Sequence, residues 1–420
     1  MSARKLEIAA AGVICSAAAA ELSFSVPASG DYQAYGPVAG DNAGPAITAL
    51  VHGNLSAYAA HQPLMGPVSL LLRAPATAVA TALGAGQLTR YEAGAFACLL
   101  ILAAAATCLI VAPRPRRSWI IGGLAALALL SPLTRQAIEL GHPEEPLTAV
   151  LVTAAVLAAI RGRDLLAAVL LGVAIATKEW ALIGVVPVLL ALPARRIRTG
   201  LIAGGIAGAL YAPGALMNFG AFTRAGHMLA DKKIVNPFSI MWPLGSPLHV
   251  AGFVSRTVRL LPNGFTRERL VELGALCAAL LAAPAAIAYR RGVRIRDPLA
   301  LLALLGVGRC MLDPLPQAYY FFAPIVPLAA WEVLSIGRLP LATLSLTAYA
   351  ILIPGAALSL GSGPTNAITI AGAIALGCYL LYRVFCDPAT PPNGLPVTFS
   401  ARWRSSSSRP ASPTAPASPA

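Results

Sequence analysis

The sequence predicts an all-α polytopic membrane protein, and three observations carry that prediction. Of its 420 residues, 57% are hydrophobic and only 11% are charged, and the mean hydropathy is +0.72, well outside the balance of a soluble domain. Apolar runs of about 15 to 22 residues recur along the chain, a length that crosses or nearly crosses a hydrocarbon core roughly 30 Å thick. These runs are rich in Ala, Leu, Gly and Val and lack the short alternating pattern of a membrane barrel, so they read as helices.

The net charge of +14 would suggest nucleic acid in a soluble protein. Here cations are expected to collect in cytoplasmic loops, so the basic balance is topological and no nucleic-acid partner is expected. Arg far outnumbers Lys and Ala is abundant, the composition of a GC-rich bacterial genome. The seven cysteines form no CxxC pair and no Cys/His cluster at zinc spacing, and read as small core residues.

The first apolar run, Leu6 to Val26, follows Arg4 and Lys5 and is read as an uncleaved anchor, although Ala18-Ala19-Ala20 resembles a cleavage site. It delivers residues 27–62 to the outside, a segment without Lys or Arg that contains Asp31 and Asp41. The run 64–84 carries Pro67, Arg73 and Pro75; it is expected to lie in the outer interface or to re-enter it, because a crossing would push Arg114, Arg116 and Arg117 outside. Residues 91–112 then cross inward, 119–137 outward, and 147–160 return to Arg161 and Arg163.

The run from Leu165 to Pro193 has basic flanks at both ends and should cross an even number of times. A pair of short helices with Lys178-Glu179-Trp180 at the outer tip satisfies this. Each arm of about 15 residues spans only roughly 22 Å, so the tip stays sunk below the surface. A single long helix is the competing reading. Crossings at 199–217 and 270–289 place 218–269 outside, despite Arg256, Arg259, Arg267 and Arg269; its apolar part, 238–254, is broken by Pro243 and Pro247 and reads as interfacial. Runs at 297–312, 319–336, 340–360 and 366–385 complete about 11 to 12 spans. Residues 1–386 thus form one transmembrane domain, and the Pro-, Ser- and Ala-rich stretch 387–420 a disordered cytoplasmic tail.

On this topology all five histidines and most acidic residues lie outside. Polar chemistry gathered on one face suits an enzyme working at the outer leaflet. A transporter would more often place such groups near the midplane, on broken helices of two related halves, and no internal repeat is visible. The sequence also lacks a Walker motif, a GxGxxG after a strand and a metalloprotease helix.

The candidate site residues are interruptions of apolar sequence, where charge is costly. Asp31, a few residues beyond the first run, could act as a general base, with Asp41 as its rival. His142, Glu144 and Glu145 stand in Gly141-His142-Pro143-Glu144-Glu145-Pro146 at a helix entrance; the macrodipole alone explains one glutamate there, but less well the whole cluster. Substrate positioning is their expected role, and their spacing does not call for a divalent metal. Lys178, beside Glu179 and Trp180, is either a snorkelling cation with a local partner or a ligand for a lipid-linked phosphate. Arg309 could contribute similarly or pair with Asp313 one turn on. Tyr319 and Tyr320 could stack on a sugar or belong to an interfacial aromatic belt. Arg135 and Glu139 form another turn-spaced pair, expected to be structural.

Together these residues resemble the GT-C superfamily of membrane glycosyltransferases, in particular the bacterial polyprenol-phosphate-mannose-dependent alpha-mannosyltransferases. The likeness rests on Asp31 with Tyr32 and Tyr35 after the first span, Gln62-Pro63-Leu64, Gly141 to Pro146, Gly172 through Lys178-Glu179-Trp180 to Pro187, and Asp313 to Tyr320 followed by Pro324. The paired Asp-Asp that some branches carry in the first outer loop is absent. The resemblance implies transfer of a hexose, mannose in the branch named, from a polyprenyl-phosphate donor to an envelope glycolipid or glycan, at the outer face and without a bound cofactor. It places the base role on Asp31, with Asp41 in reserve. A transporter or flippase of a lipid-linked sugar is the alternative.

Overall fold

The computed structural model describes residues 3–26, 43–62, 65–111, 118–227, 234–250, 253–262, 297–335 and 337–385. Asp31, Asp41, the expected span 270–289 and the tail lie outside the described residues.

The described chain is a helical bundle with one small sheet. Its first half holds α1 (Ala3–Phe24), α2 (Gly44–Val51), α3 (Leu55–Ala60), α4 (Pro67–Ala82), α5 (Gln87–Val111), α6 (Ser118–Leu129), α7 (Pro132–Glu139) and α8 (Glu144–Ile160). Then come α9 (Asp164–Ile175), α10 (Val185–Ala191), α11 (Arg196–Met217) and α12 (Phe219–His227). Strands β1 (Ile234–Val235), β2 (Ser246–Val250) and β3 (Phe253–Leu260) precede α13 (Pro298–Leu312), α14 (Phe322–Ala330), α15 (Leu341–Leu360) and α16 (Ser362–Phe385). Five helical segments are long and apolar enough to cross a membrane: Arg4–Phe24, Gln87–Val111, Trp119–Glu139, Arg196–Met217 and Ser362–Phe385. Shorter apolar helices accompany them. The chain is therefore an all-α polytopic membrane protein.

The core is built on α8, which buries nearly every side chain it carries, and on α13 and α14, which flank it. Small residues let these helices approach closely in the absence of a hydrophobic drive between lipid-facing surfaces. A Cβ on Gly306 of α13 would lie 2.8 Å from the Ala323 carbonyl carbon in the first turn of α14, so only glycine fits there. Cys15, Cys98 and Cys310 are buried as small core residues, whereas Cys108 and Cys378 are exposed on the bundle.

The run 165–193 folds as two short helices, not one. The break falls at Ala176 to Lys178, and beyond it a 3-10 turn, Glu179–Gly184, leads into α10. Arg195, past the end of the second arm, reaches Asp164 at the start of the first (3.4 Å). The two ends thus return to one side, as the basic flanks require, and Lys178 sits at the tip. Against that tip docks the N-terminus of α4. The Gly66 amide donates to the Thr177 carbonyl (2.9 Å) and the Val68 amide to the Ala176 carbonyl (3.1 Å). The backbones are so close that a Cβ on Gly66 would stand 2.2 Å from the Ala176 oxygen. From there α4 runs back along the first turns of α5, where Gly94 faces Arg73 and Thr77, consistent with re-entry.

One stretch departs from expectation. Residues 238–254, read as an interfacial apolar segment, instead supply β2 and the start of β3 in an antiparallel sheet of order β1-β3-β2, with Ile234 opposite Leu260 and Ser246 also opposite Leu260. Pro247 is tolerated because β2 is an edge strand, and the register slips between Pro247 and His249. The guanidinium of Arg259 lies over the Trp242 ring (4.3 Å). The sheet is tied to the C-terminal end of α13: the Asn236 amide donates to Pro314 (3.0 Å), its side chain to Pro316 (3.0 Å), and Asn366 Nδ2 to Pro237 (3.0 Å) and Ser239 (2.9 Å).

The opposite end of the bundle is closed by other groups. Asp297 caps α13 through Ala300 and accepts from the indole of the fully buried Trp331, which also meets Arg383 and Tyr379. Glu332 caps α15, accepting from Ala342 N (3.0 Å), Thr343 N (2.9 Å) and Thr343 Oγ1 (2.7 Å).

The docking of α4 on the hairpin tip gives a direct test. Gly66→Ala forces a methyl into the Ala176 carbonyl and is expected to cost about 1–3 kcal/mol. Gly204→Ala, at a helical position with nothing within 4 Å, should lose nothing. Thermal unfolding of the purified protein in detergent compares them, and equal stability of the two variants would contradict the docking.

Candidate active site

The loop Gly141 to Pro146 is shaped by its own residues. Gly141 adopts a left-handed conformation (φ 85°) that ends α7, and the His142 amide closes back on the Ala137 carbonyl (2.7 Å). Pro143 then turns the chain into α8, and Pro146 falls in the first turn, where its missing N–H is no loss. Glu144 and Glu145 therefore sit at the positive end of α8, favoured by its dipole, yet both are completely buried.

Burial of two adjacent carboxylates demands cations, and the bundle supplies one for each. Glu144 Oε1 takes the Nδ1 of His142 (2.9 Å) and the ammonium of Lys178 (3.4 Å). Glu145 Oε1 takes a guanidinium nitrogen of Arg309 (3.1 Å). Lys178 comes from the hairpin tip and Arg309 from the last turn of α13, so three separate elements meet here. Glu144 and Glu145 precede the apolar part of α8. Burial would raise the Glu144 carboxyl, but Lys178 and His142 outweigh it and hold it down at about 2. For Glu145 burial wins over Arg309 and Lys178, and the carboxyl is raised.

Aromatic rings fix these charges. The Arg309 guanidinium lies between the rings of Trp180 (4.7 Å) and Tyr320 (4.3 Å) and donates to the Tyr320 carbonyl (3.3 Å). Tyr319 stacks on His142 (5.0 Å) and meets Tyr320 edge-on (5.0 Å). Glu144 Oε2, Glu145 Oε2 and Trp180 Nε1 are buried without a hydrogen-bond partner among the described residues. Two acceptors and a donor are thus left open beside fixed charges, an arrangement suited to the hydroxyls of a polar ligand.

Seven of the eight described site residues come together: His142, Glu144, Glu145, Lys178, Arg309, Tyr319 and Tyr320. Glu179 does not, being exposed on the rim. Of the two readings of Lys178, the one with Glu179 as its local partner is not met: it pairs with Glu144, because the 3-10 turn directs the neighbouring side chains apart. Arg309 pairs with Glu145, not Asp313, whose carboxylate accepts from the Leu315 amide (2.8 Å). Arg135 and Glu139 do pair (2.7 Å), away from this cluster. Among the described residues no group of three or more His, Cys, Asp and Glu could hold a metal ion. Sequence reading treated Arg73 only as an obstacle to crossing; it is one of the largest fully buried side chains, and its charge acts on Glu144. A lone arginine in an apolar run was the signal that could have found it.

The buried pair is testable by stability. Glu145→Leu leaves Arg309 uncompensated and is expected to cost about 3–5 kcal/mol, most of it recovered in the double variant Glu145→Leu/Arg309→Leu. Chemical or thermal unfolding in detergent reads the difference, and additive single losses would mean that the two groups are not coupled.

Comparison with known proteins bears on what this site does. None of the curated proteins searched matches the chain. The sequence model of glycosyltransferase family 87 matches residues 64–316, a stretch that holds His142, Glu144, Glu145, Lys178, Glu179, Arg309 and the buried Arg73. A match over more than half of the chain, on an all-helical membrane bundle with this site at one end, shows that the protein belongs to glycosyltransferase family 87.

Proposed function

We propose that this glycosyltransferase moves a hexose, with mannose the first candidate, from a polyprenyl-phosphate donor to an envelope glycolipid or glycan on the outer face of a bacterial inner membrane. The observation that carries the reading is the pair of buried ion pairs, Glu144–Lys178 and Glu145–Arg309, meeting at a sunken hairpin tip. A polyprenyl chain stays in the bilayer while its phosphate and sugar stand at the level of such a tip. Lys178 and Arg309, each held by its glutamate, would stand at the level of the phosphate and fix the site's shape, and the open oxygens of Glu144 and Glu145, steadied by His142, would accept sugar hydroxyls.

In the proposed step a carboxylate, Asp31 or Asp41, takes the proton of the acceptor hydroxyl. The freed oxygen attacks the anomeric carbon, the bond from that carbon to the phosphate oxygen breaks, and the configuration inverts. The electron pair leaves on the polyprenyl phosphate, where cations offset the added charge. The activated sugar arrives on its lipid, so the step uses no resident cofactor. Membrane lipid, the donor and the acceptor are the partners it requires.

The base assignment separates the two aspartates. In membranes supplied with donor, one of Asp31→Asn and Asp41→Asn is expected to lower transfer by about 10²-fold or more at normal protein levels, the other far less. Full activity in both variants would remove the general-base role from this loop. Movement of label across the membrane without a new glycosidic bond would favour a flippase.

A further inference from the structure

The charges of the site do not cancel once Arg73 is counted. Lys178 and Arg309 are each matched by a glutamate, so a bound anion would meet no surplus of charge from them. Arg73 is 1% exposed and forms no ion pair among the described residues. Its Nη1 has only the thioether of Met65 (3.5 Å), its guanidinium carbon lies 5.4 Å from the centre of the Tyr91 ring, and its Nε has no partner among the described residues. A guanidinium offers five donors in a planar fork. Burying it against a thioether and a ring leaves most of its desolvation cost uncompensated.

Ser69, one turn before Arg73 on the same face of α4, turns its hydroxyl to the Cys98 thiol of α5. The docking of Gly66 and Val68 on Thr177 and Ala176 fixes this segment beside Lys178. The Tyr91 ring beneath the guanidinium belongs to a residue whose hydroxyl donates to the Ile138 carbonyl of α7, just ahead of the Gly141 to Pro146 loop, so Arg73 stands on the side of α4 toward that loop. Among the described residues three cations therefore stand against two carboxylates, and the unmatched one is buried with its Nε open.

We propose that Arg73 is the anion-binding side chain of this site, and that its ligand is the phosphate of a prenyl-linked sugar. Lys178 and Arg309, each held by a glutamate, then position the site more than they supply its net charge. The inference rests on the donor class proposed above.

The test uses the full-length protein in nanodiscs, with thermal stability read against undecaprenyl phosphate, undecaprenol and inorganic phosphate. Wild type should be protected by undecaprenyl phosphate and not by the alcohol. Arg73→Met removes the charge at similar volume; it should be as stable as wild type or more so without ligand, while half-protection by undecaprenyl phosphate requires at least tenfold more lipid. Arg73→Lys, which keeps the charge and loses the fork, should fall between them, and it serves the same comparison if Arg73→Met does not accumulate. Undiminished protection of both variants would overturn the role of Arg73 alone. A wild type that the phosphate lipid does not protect would overturn the donor class and this inference with it. Equal protection by inorganic phosphate would overturn the lipid as the ligand.

Discussion

The structure depends on the pairing of charges inside an apolar bundle. Each ion taken out of water costs several kcal/mol, and breaking a buried pair exposes that cost in full. Glu144 and Glu145 are buried at the entrance of a helix that hides nearly all of its side chains, so their cations have to arrive with precise geometry. Lys178 can do so because the run 165–193 breaks into a hairpin whose tip reaches α8. Arg309 can do so because α13 ends level with that tip and two aromatic rings clasp its guanidinium. If either element shifted, a carboxylate would be stranded; the ion pairs are thus a condition on how three segments assemble.

The same logic explains the rest of the architecture. At the site end, backbone hydrogen bonds dock α4 on the hairpin tip, and the small sheet is tied to the loop after α13. At the far end, Asp297 and Glu332 do not compensate cations in a cluster but cap helix N-termini, where orphan amides need acceptors. One end is therefore closed by ordinary capping, while the other holds open acceptors and donors beside fixed charge.

Much of this was legible in the sequence. Composition and run length gave an all-α membrane fold, basic flanks gave the hairpin at Lys178, and the charged interruptions at 142–145, 178 and 309 marked residues that meet in space. What periodicity and flanking charge do not encode is partner choice. Lys178 takes Glu144 over the adjacent Glu179, and Arg309 takes Glu145 over Asp313, because tertiary packing sets which carboxylate is desolvated. The sheet at 234–260 was missed since Pro243 and Pro247 argue against strands and only pairing with β3 makes an edge strand of β2. Arg73 was visible but undervalued; its burial, not its presence, gives it meaning. Asp31 and Asp41 lie outside both the described residues and the family match, and their role rests on chemistry and resemblance.

The central claim is the donor class, and the most direct measurement is a donor-choice assay with the purified full-length protein. It would receive an envelope glycolipid extract and one of two labelled donors, a nucleotide-linked hexose or the same hexose on polyprenyl phosphate. The account predicts a new glycosidic bond with the lipid-linked donor and none with the nucleotide sugar. Transfer from the nucleotide sugar, or none from either donor in the presence of a competent acceptor, would contradict it.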